Sequence, residues 1–384
     1  MKDLTTGPIG RHVVALSIPV AAGMLLQTIY FFVDLYFVSR LGDAAIAGVA
    51  AGGNLMFAVF FLSQALAVGT VALVSQAVGR KERGEANHVF NQAIVAAAVF
   101  GVATLVGGYA VVGPYTRFFA PDEATREAGA TFLYWYLPNL AMQFATVVLS
   151  SGLRGTGIVK PTAIVQAITV VLNAILAPIL VMGWGTGMPM GVAGAGLATT
   201  LSVAVGVALL IYYFLRLEHY VAIDRNDWRP NPATLKRLFN IGIPVGGEFA
   251  LMAVFASILY WATRDFGTPT QAGLGVGFRV NQMVLIPALA IAFAAAPIAG
   301  QNFGARHPDR VRQTFTATAL GCVCVMGLIT LLVQWLAEPM VRIFTADAAV
   351  VASAVEYMVY ISWNFAPIGF AMCASGVMQG MGNT

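Results

Sequence analysis

The sequence predicts an all-α polytopic membrane protein, built from two six-helix repeats that a pseudo-two-fold axis along the membrane normal relates. The first observation is composition: 59% of the 384 residues are hydrophobic and only 10% are charged, against roughly 25% charged in an average soluble domain. The second is that apolar runs long enough to cross a bilayer as helices recur from end to end. The third is an internal repeat. Together they exclude an ordinary soluble fold.

Ten apolar runs between polar loops predict ten membrane-spanning helices. We expect them at residues 13–39, 45–78, 88–113, 128–153, 160–183, 190–216, 236–264, 270–301, 311–337 and 350–378. Several are longer than a bilayer requires, so tilt or kinks are expected. The first run is too long for the core of a signal peptide, which spans about 7–15 residues.

The two halves of the chain align without a gap at a shift of 225 residues. Under this shift "SIPV" at 17–20 meets "GIPV" at 242–245, and Gly42 meets Gly267. "SSGLRGTG" at 150–157 meets "SGVMQGMG" at 375–382. Matching glycines, prolines and charges in loops are harder to obtain by chance than matching apolar residues. An internal repeat with a binding site at its interface is typical of transporters.

The repeat also predicts the domain organisation. We expect an N-lobe of six helices at residues 1–216, a cytoplasmic linker at 217–235, and a C-lobe at 236–384 that holds the first four helices of the second repeat. Carrying the shift forward predicts two further helices beyond residue 384. The expectation is therefore a twelve-helix protein of which about ten helices are present.

Charge predicts the orientation in the membrane. Fifteen of the 21 Lys and Arg residues fall on the same side of the membrane as the N-terminus. The other side holds only Arg40, Arg117, Arg126, Arg264 and Arg342. By the positive-inside rule, the N-terminus and the linker are cytoplasmic and the protein lies in the inner (plasma) membrane. Since these loops explain the basic pI, the lipid bilayer is the expected partner and nucleic acid is not.

Two carboxyl groups stand out because they lie well inside predicted helices, Asp34 and Glu248. A charge at the bilayer centre costs about 2.5–3.5 kcal/mol on insertion scales, so such groups face a bundle interior or a wet cavity. A carboxyl that is protonated in one state and charged in another suits the exchange of a proton for a cation. The alternative is that Asp34 caps a neighbouring helix or pairs with Arg40, although six residues is poor helical spacing for a pair.

Other kinds of chemistry find no support in the sequence. The three cysteines lie in apolar runs and are expected to pack rather than to form disulfides or bind metal. No glycine-rich loop ends in Gly-Lys-Ser or Gly-Lys-Thr, so ATP is not the expected fuel. No nucleophile motif occurs either. We expect no enzymatic activity and no cofactor, and the sequence gives no firm metal site.

Three stretches resemble the MATE family of multidrug and toxic compound extrusion antiporters. They are "SIPVAAGMLLQTIYFFVDLYFVSRLGDAAIAGVA" at 17–50, "SQAVGRKERGEAN" at 75–87 and "RGTGIVKP" at 154–161. "GIPVGGE" at 242–248 resembles the DinF-like bacterial branch. The resemblance covers the whole chain. It implies two six-helix lobes around a central cavity, and export of small organic, often cationic, compounds in exchange for protons or sodium. We expect a monomer.

The resemblance also implies site residues in the N-lobe. Asp34 matches the first-helix aspartate of the family, and Pro19 matches its kink proline, so protonation of Asp34 would favour bending near Pro19. Asn173 and Thr199 match the network around that aspartate. The residue four after Asn173 is Ala177, where many members have Asp. This departure weakens the alternative of a sodium ion bound at Asp34. For Asn173, a hydrogen bond that only holds the fold is an equal alternative.

In the C-lobe the candidates are Glu248, one turn after Pro244, and Arg279. The alternative for both is a structural ion pair with each other. Larger side chains could line a cavity for flat aromatic cations by cation–π attraction, or could simply pack. These side chains are Tyr30, Phe31, Phe57, Tyr134, Trp135, Tyr260, Trp261 and Met283.

The leading hypothesis for function is a secondary antiporter that exports lipophilic, cationic organic compounds. The second hypothesis is a flippase for lipid-linked precursors, a function that the wider superfamily of this fold includes. Such a protein needs several cations around its cavity to hold a diphosphate, whereas Arg279 is the one cation that the sequence places inside a helix. The third hypothesis is a fragment that transports nothing.

Overall fold

The computed structural model describes residues 1–119, 122–218 and 220–384, except for the side chains at positions 51, 54, 249, 250 and 253. Within these residues there is no β-strand, and the architecture is all α-helical, as predicted. The helices are α1 (Ile9–Ser39), α2 (Asp43–Ala51), α3 (Gly53–Gly79), α4 (Arg83–Phe119), α5 (Glu123–Gly155), α6 (Lys160–Met182), α7 (Val192–Arg216), α8 (Pro232–Ala262), α9 (Thr268–Val284), α10 (Ile286–Gly304), α11 (Pro308–Arg342), α12 (Ala348–Ser362) and α13 (Phe365–Met381).

Each of the ten predicted spans corresponds to a helix or a pair of helices. Eight of these are long and apolar enough to cross a membrane among the described residues, and nine if the bent pair α12 and α13 counts as one span. Three of these spans are interrupted; kinks were expected in runs of this length, but their positions were not predicted. Span two divides into α2 and α3 at Gly52, span eight into α9 and α10 at Leu285, and span ten into α12 and α13.

Local backbone chemistry explains these breaks. A proline ring clashes with the carbonyl four residues before it and removes a backbone donor. Pro367 lies four residues after Trp363, where α12 ends, and α12 and α13 meet at an angle of 55°. Pro287 directly follows the first residue of α10. At the first break the paired glycines Gly52 and Gly53 lower the helix propensity.

The predicted repeat is confirmed in the backbone. Each of three left-handed positions in the first half has a partner exactly one repeat, 225 residues, later. The pairs are Gly42 (φ 101°) with Gly267 (φ 90°), Lys81 (φ 62°) with Arg306 (φ 58°), and Gly157 (φ 78°) with Gly382 (φ 79°). L-residues rarely adopt this conformation, so its recurrence at a non-glycine position in both halves shows that the same turns are reused.

Several loops meet at one end of the bundle, which we call the base. It is formed by residues 1–8, 80–82, 156–159, 220–231 and 305–307. Hydrogen bonds tie these loops together, such as Lys2 N to Thr156 O at 2.8 Å and Arg83 Nε to Tyr220 O at 3.1 Å. The base loops and the helix ends that adjoin them carry fifteen of the chain's 21 lysines and arginines, so the structure gathers the basic residues that the sequence assigned to one side.

At the base the two lobes touch backbone to backbone. A Cβ added to Gly79 of α3 would lie 2.0 Å from the carbonyl oxygen of Gln301 in α10. A Cβ added to Gly304 of α10 would lie 2.1 Å from the carbonyl oxygen of Gln76 in α3. These contacts exchange under the 225-residue shift, so the pseudo-two-fold axis passes between α3 and α10. Only glycine permits so close an approach.

The same symmetry governs the flanking helices. α8 packs along α3. Their counterparts in the other repeat, α1 and α10, pack along each other in the same way. A Cβ on Gly242 of α8 would lie 1.9 Å from the carbonyl oxygen of Ala65 in α3. The repeat counterparts, Ser17 of α1 and Ala290 of α10, are both buried. The lobes are therefore joined by a pair of equivalent helix contacts.

The linker lies against the base end of α4. Three polar side chains within a little more than one turn of α4 bind the linker backbone. Asn87 Oδ1 accepts from Ala222 N at 2.8 Å, and Asn91 Nδ2 donates to Ala222 O at 2.9 Å. Gln92 Nε2 donates to the carbonyl oxygens of Asp227 at 2.7 Å and of Arg229 at 2.9 Å. Asn91 and Gln92 are fully buried, so the linker is an ordered part of the fold.

Residues 1–8, which we call the N-terminal strap, bridge the two lobes. Leu4 is 0% exposed and packs in a cluster with Val159 of the N-lobe and Ile298 of the C-lobe. Its N–H donates to Gln301 Oε1 at 3.0 Å. Its carbonyl accepts from Asn302 Nδ2 at 3.2 Å. The strap therefore adds apolar and polar contacts across the interface that closes the base.

A polar cavity in the N-lobe

A cavity of about 400 Å³ lies between α1, α5, α6 and α7. Each of these helices supplies residues three or four apart, which is the spacing of one helical face. On α1 this face comprises Val20, Gly23, Met24, Gln27, Tyr30, Phe31 and Asp34. Phe293 of α10 also lines the cavity, so the C-lobe provides part of one wall.

Asp34 lies in this cavity with one of its two carboxylate oxygens held in place. Thr199 Oγ1 of α7 donates to Asp34 Oδ2 at 3.1 Å. The Asn173 amide of α6 faces the same carboxyl group. Asp34 Oδ1 is buried and has no hydrogen-bond partner among the residues that the structure describes. A buried acceptor without a partner is costly, so this oxygen is suited to receive a proton or a ligand donor.

Tyr30 completes the group around Asp34, one turn earlier on α1. Its hydroxyl accepts from Asn173 Nδ2 at 3.1 Å and donates to Thr199 O at 3.4 Å. The structure thus brings together Asp34, Asn173 and Thr199, the three coupling candidates. The sequence analysis predicted Tyr30 only as an aromatic side chain that could line a cavity. Its position four residues before Asp34, on the same helical face, could have predicted its place in this group.

Arg40 does not neutralise Asp34. It donates a hydrogen bond to the hydroxyl of Tyr36 and stacks over that ring, with 4.7 Å between its guanidinium carbon and the ring centroid. The ion pairs of the described residues do not include Asp34. The alternative that Asp34 pairs with Arg40 is therefore wrong in this structure. The side chains around the carboxyl group are neutral.

A polar stripe on α5 forms the opposite wall, and sequence reasoning missed it. The stripe consists of Asn139, Gln143, Thr146, Ser150 and Arg154. Polar residues at spacings of three and four, within an otherwise apolar membrane helix, were the signal that could have revealed it. The Asn139 Oδ1 atom is buried without a partner, like Asp34 Oδ1. The cavity is therefore lined by polar groups that are available to bind a ligand.

Pro19 lines the cavity at the end near the base. α1 continues through Pro19 as one helix from Ile9 to Ser39. Fifteen residues separate Pro19 from Asp34, which is about 22 Å along a helix. The hinge role of Pro19 stays a prediction, since one conformation does not test bending.

The C-lobe candidates lie apart. Glu248 is exposed and lines a second, smaller cavity of about 50 Å³, whose wall includes Gln64 and Phe293. Arg279 on α9 is exposed and is absent from the residues that line this cavity. Among the described residues no ion pair joins Glu248 and Arg279. The structure does not bring these two residues together, and the structural pair that was the alternative is not formed.

Of the eight aromatic and methionine candidates, Tyr30 and Phe31 line the N-lobe cavity. Tyr134 and Trp135 on α5 are exposed on the side away from it. The three cysteines are free. The described residues contain no group of three or more His, Cys, Asp or Glu side chains that could hold a metal ion.

Two helical repeats, with a polar cavity in the first repeat and an acidic side chain inside a membrane-spanning helix, define a polytopic membrane transporter. The comparison with protein families identifies the family of transporters. The MatE family model matches residues 19–179 and 244–384. The chain therefore belongs to the MatE family, the MATE transporters, and its members are transporters rather than enzymes.

Curated relatives match nearly the whole chain. The FAD transporter of Shewanella oneidensis is 25% identical, over 97% of this chain and 83% of its own length. The probable multidrug resistance protein YpnP of Bacillus subtilis is 24% identical, over 99% of this chain and 84% of its own. The multidrug export protein MepA of Staphylococcus aureus is also 24% identical, over 98% and 82%.

Solved structures support the same fold. A MATE protein in complex with MaL6 superposes with a TM-score of 0.92 at 22% identity, over 99% of this chain and 85% of that chain. A MOP superfamily transporter from Pyrococcus furiosus superposes with a TM-score of 0.91 at 22% identity, over 99% and 84%. At this identity the likeness shows the fold alone, which is the two-lobe repeat that the sequence predicted.

Proposed function

We propose that this chain is a secondary active antiporter that exports small lipophilic organic compounds, cations among them, and that Asp34 carries the coupling proton. The observation that supports this most is the state of the Asp34 carboxyl group. One oxygen accepts from Thr199, and the other is buried and has no hydrogen-bond partner among the described residues of this cavity. Such a group can take up a proton or bind a cationic cargo, and the two compete for one site.

The surroundings of Asp34 favour a proton over sodium as the coupling ion. Sodium prefers several oxygen ligands, carboxylates included. Here the neighbours are one amide and two hydroxyl groups, and the position that could supply a second carboxylate is Ala177, which is buried. A single carboxyl group is sufficient for a proton.

Transport requires that the base opens and closes. We assign the base to the cytoplasmic side of the plasma membrane, because it gathers the basic loops. The contacts of α3 with α10 then close the cytoplasmic side, and they have to separate before cargo enters from the cell. Proton and cargo shift this equilibrium only through different affinities for the two states. A membrane potential of 100 mV adds about 2.3 kcal/mol for each charge that moves.

A flippase for lipid-linked precursors is the weaker candidate. A diphosphate needs several cations around it, and Arg279, the one cation that the sequence placed inside a helix, lies outside both cavities described above. The relatives differ in the cargo that their names give, FAD in one case and multiple drugs in others. The cargo of this chain therefore has to be measured.

The test is transport by the purified full-length protein in proteoliposomes. We would impose a proton gradient, or separately a sodium gradient, and follow a fluorescent organic cation. We expect transport that depends on the proton gradient, and its loss in Asp34→Asn, which is nearly isosteric but cannot ionise. The matched control is Asp43→Asn, the same change at an exposed position in the first turn of α2. Full proton-driven transport by Asp34→Asn, or transport that only sodium drives, would contradict the proposal.

A further inference from the structure

The wall of the N-lobe cavity includes a positively charged side chain that has no part in the mechanism proposed above. Arg154, in the last turn of α5, lines the cavity. Its guanidinium donates one hydrogen bond, to Ser151 Oγ at 3.3 Å, and stacks on Phe293 with 5.1 Å between its central carbon and the ring centroid. A guanidinium has five N–H donors. Most of them therefore have no partner among the described residues.

No acidic side chain balances this charge. Arg154 takes part in none of the ion pairs formed by the described residues. Asp34, the acid in the same cavity, lies at the other end. Arg154 stacks on Phe293, whose neighbour Ala294 belongs to a buried cluster against which Val20 of α1 packs. From there to Asp34 is on the order of 20 Å along α1. An unbalanced charge away from bulk water is costly unless a ligand or trapped water compensates it.

A purely structural role does not explain a cation at this position. Arg154 does interact favourably with the C-terminal dipole of α5. However, its repeat counterpart is Gln379, in the equivalent last turns of α13. Gln379 donates to Ser375 Oγ at 3.0 Å, which satisfies that site without any charge. The same turn of the same fold therefore forms with a neutral side chain.

Other groups near this end of the cavity are suited to an anion. Thr162, in the first turn of α6, has a buried Oγ1 without a hydrogen-bond partner and lines the cavity. Ser150 and Gln166 line it as well. Hydroxyl and amide donors beside a guanidinium are the usual surroundings of a bound phosphate, sulfonate or carboxylate.

We propose that Arg154 is the binding site for an anionic group of the cargo, so that the cavity takes organic compounds that carry a phosphate, sulfonate or carboxylate at the base end. This inference depends on the proposed role of the cavity as the cargo site. It extends the proposed cargo to amphiphiles that carry an anionic group, zwitterions among them, whose remaining part lies toward Asp34. Because Phe293 belongs to the C-lobe, separation of the lobes would uncover the guanidinium on the side from which cargo enters.

The test is equilibrium binding of two probes that differ by one anionic group. 8-Anilinonaphthalene-1-sulfonate carries a sulfonate, and N-phenyl-1-naphthylamine is the same ring system without it. Binding is followed by probe fluorescence in nanodiscs of phosphatidylcholine, with empty discs subtracted. We compare the unmodified protein, Arg154→Gln, which copies the residue of the other repeat, and Arg154→Lys, which keeps the charge. Arg229→Gln, at an exposed linker position, is the matched control for net charge.

We expect Arg154→Gln to weaken sulfonate binding by about tenfold or more, as loss of a charge-assisted hydrogen bond predicts, and to leave the neutral probe unchanged. Arg154→Lys should keep most of the preference, and Arg229→Gln all of it. Unchanged sulfonate binding in Arg154→Gln would overturn the inference. If that variant does not fold, Thr162→Val, which removes a hydroxyl group at the same end of the cavity, takes its place. Weaker sulfonate binding with an unchanged neutral probe supports the inference, and unchanged binding or equal weakening of both probes overturns it.

A competition experiment identifies the source of the anion. Sulfonate binding is repeated with phenyl phosphate in solution, or with phosphatidic acid in the disc. Displacement by phenyl phosphate indicates a soluble cargo, and displacement by phosphatidic acid indicates a lipid headgroup. Either result supports the anion site when the displacement is lost in Arg154→Gln. Displacement by neither contradicts it. These binding measurements need no gradient, so a negative result does not contradict the proposed role of Asp34. In the same way, continued transport by Asp34→Asn would not contradict the anion site.

Discussion

Gln76 and Gln301 occupy the same position in the two repeats, and each donates a hydrogen bond into the opposite lobe. Gln76 Nε2 donates to Gly380 O at 3.0 Å, and Gln301 Nε2 donates to Gly155 O at 3.1 Å. The acceptors Gly155 and Gly380 are themselves one repeat apart. The base is thus held by two equivalent bonds across the pseudo-two-fold axis, and opening the base breaks both together.

The first prediction concerns the glycine beside this pair. Gly79→Ala should shift the protein away from the closed base, because the new Cβ would lie 2.0 Å from the carbonyl oxygen of Gln301. Overpacking of this kind costs about 1–3 kcal/mol, enough to change a two-state population several-fold. The measurement is the distance between spin labels at Glu82 and His307, exposed positions that are repeat counterparts.

The matched control is Gly84→Ala at the start of α4, where an added Cβ meets nothing within 4 Å. This variant should keep the label distances of the unmodified protein. Identical distance distributions for Gly79→Ala and the unmodified protein would show that the contact at Gly79 does not hold the base closed.

The second prediction concerns the N-terminal strap. Leu4→Ala should destabilise the closed base by about 2–5 kcal/mol, the range for truncating a buried leucine, because Leu4 is 0% exposed and packs against both lobes. We expect a lower thermal midpoint and longer label distances at the base. Leu25→Ala on α1, where the side chain is 51% exposed, should change neither. A loss of stability without any change in distance would mean that the strap supports the fold but not the closed state.

Much of the fold followed from features that repeat along the chain. Apolar runs located the helical segments, and matched glycines at one offset located the turns, because a left-handed turn needs glycine or another tolerant residue in both repeats. The breaks were not predicted, since Pro19 and Pro138 lie within continuous helices while Pro287 and Pro367 lie beside breaks. Whether a proline breaks a membrane helix depends on neighbouring groups that re-satisfy the backbone, and these are tertiary.

The residues of the candidate site were likewise predictable only in part. Asp34 was identifiable because a lone acid in an apolar run is conspicuous. Arg154 was not, because it lies near a helix end and was counted with the basic loops, whereas the fold covers it with Phe293 from the other lobe. Glu248 and Arg279 were grouped because both are charged and near in sequence. Which face of a helix points into a cavity is decided by packing between helices, and charge alone does not reveal it.

The third prediction concerns the cap of α5. Asp122 Oδ1 accepts from Thr125 N at 2.7 Å, and this backbone hydrogen bond, with that of the Thr125 hydroxyl, lowers the pKa of Asp122. A lowered pKa in the folded state adds stability above the ordinary value of about 3.9, and the gain is lost as the pH falls through the folded-state pKa. Asp122→Ala should therefore lower the thermal midpoint at neutral pH and have less effect in acid.

The control for this prediction is Asp122→Asn, which keeps a side-chain oxygen as the cap acceptor but cannot ionise. Its loss at neutral pH should be smaller than that of alanine, and should also shrink in acid, because acid removes the carboxylate charge from the unmodified protein. Thermal unfolding in nanodiscs at neutral pH and near pH 3 measures both variants. Equal losses for Asp122→Ala at the two pH values would show that the carboxylate charge contributes nothing to the cap.

The last prediction concerns the hydroxyl group that holds Asp34. Thr199→Val keeps the shape of the side chain but removes its donation to Asp34 Oδ2. A hydrogen bond to a carboxylate favours the charged form, so its loss changes the balance between the two forms of Asp34 on which coupling depends. We expect the pH of half-maximal transport to shift by about one unit, the equivalent of a hydrogen bond of about 1.4 kcal/mol. Thr199→Ser should restore the original profile, and Thr200→Val, whose hydroxyl binds Trp135 O instead, should leave it unchanged. A pH profile that Thr199→Val does not move would mean that the bond has no part in coupling, whatever that variant does to the maximal rate.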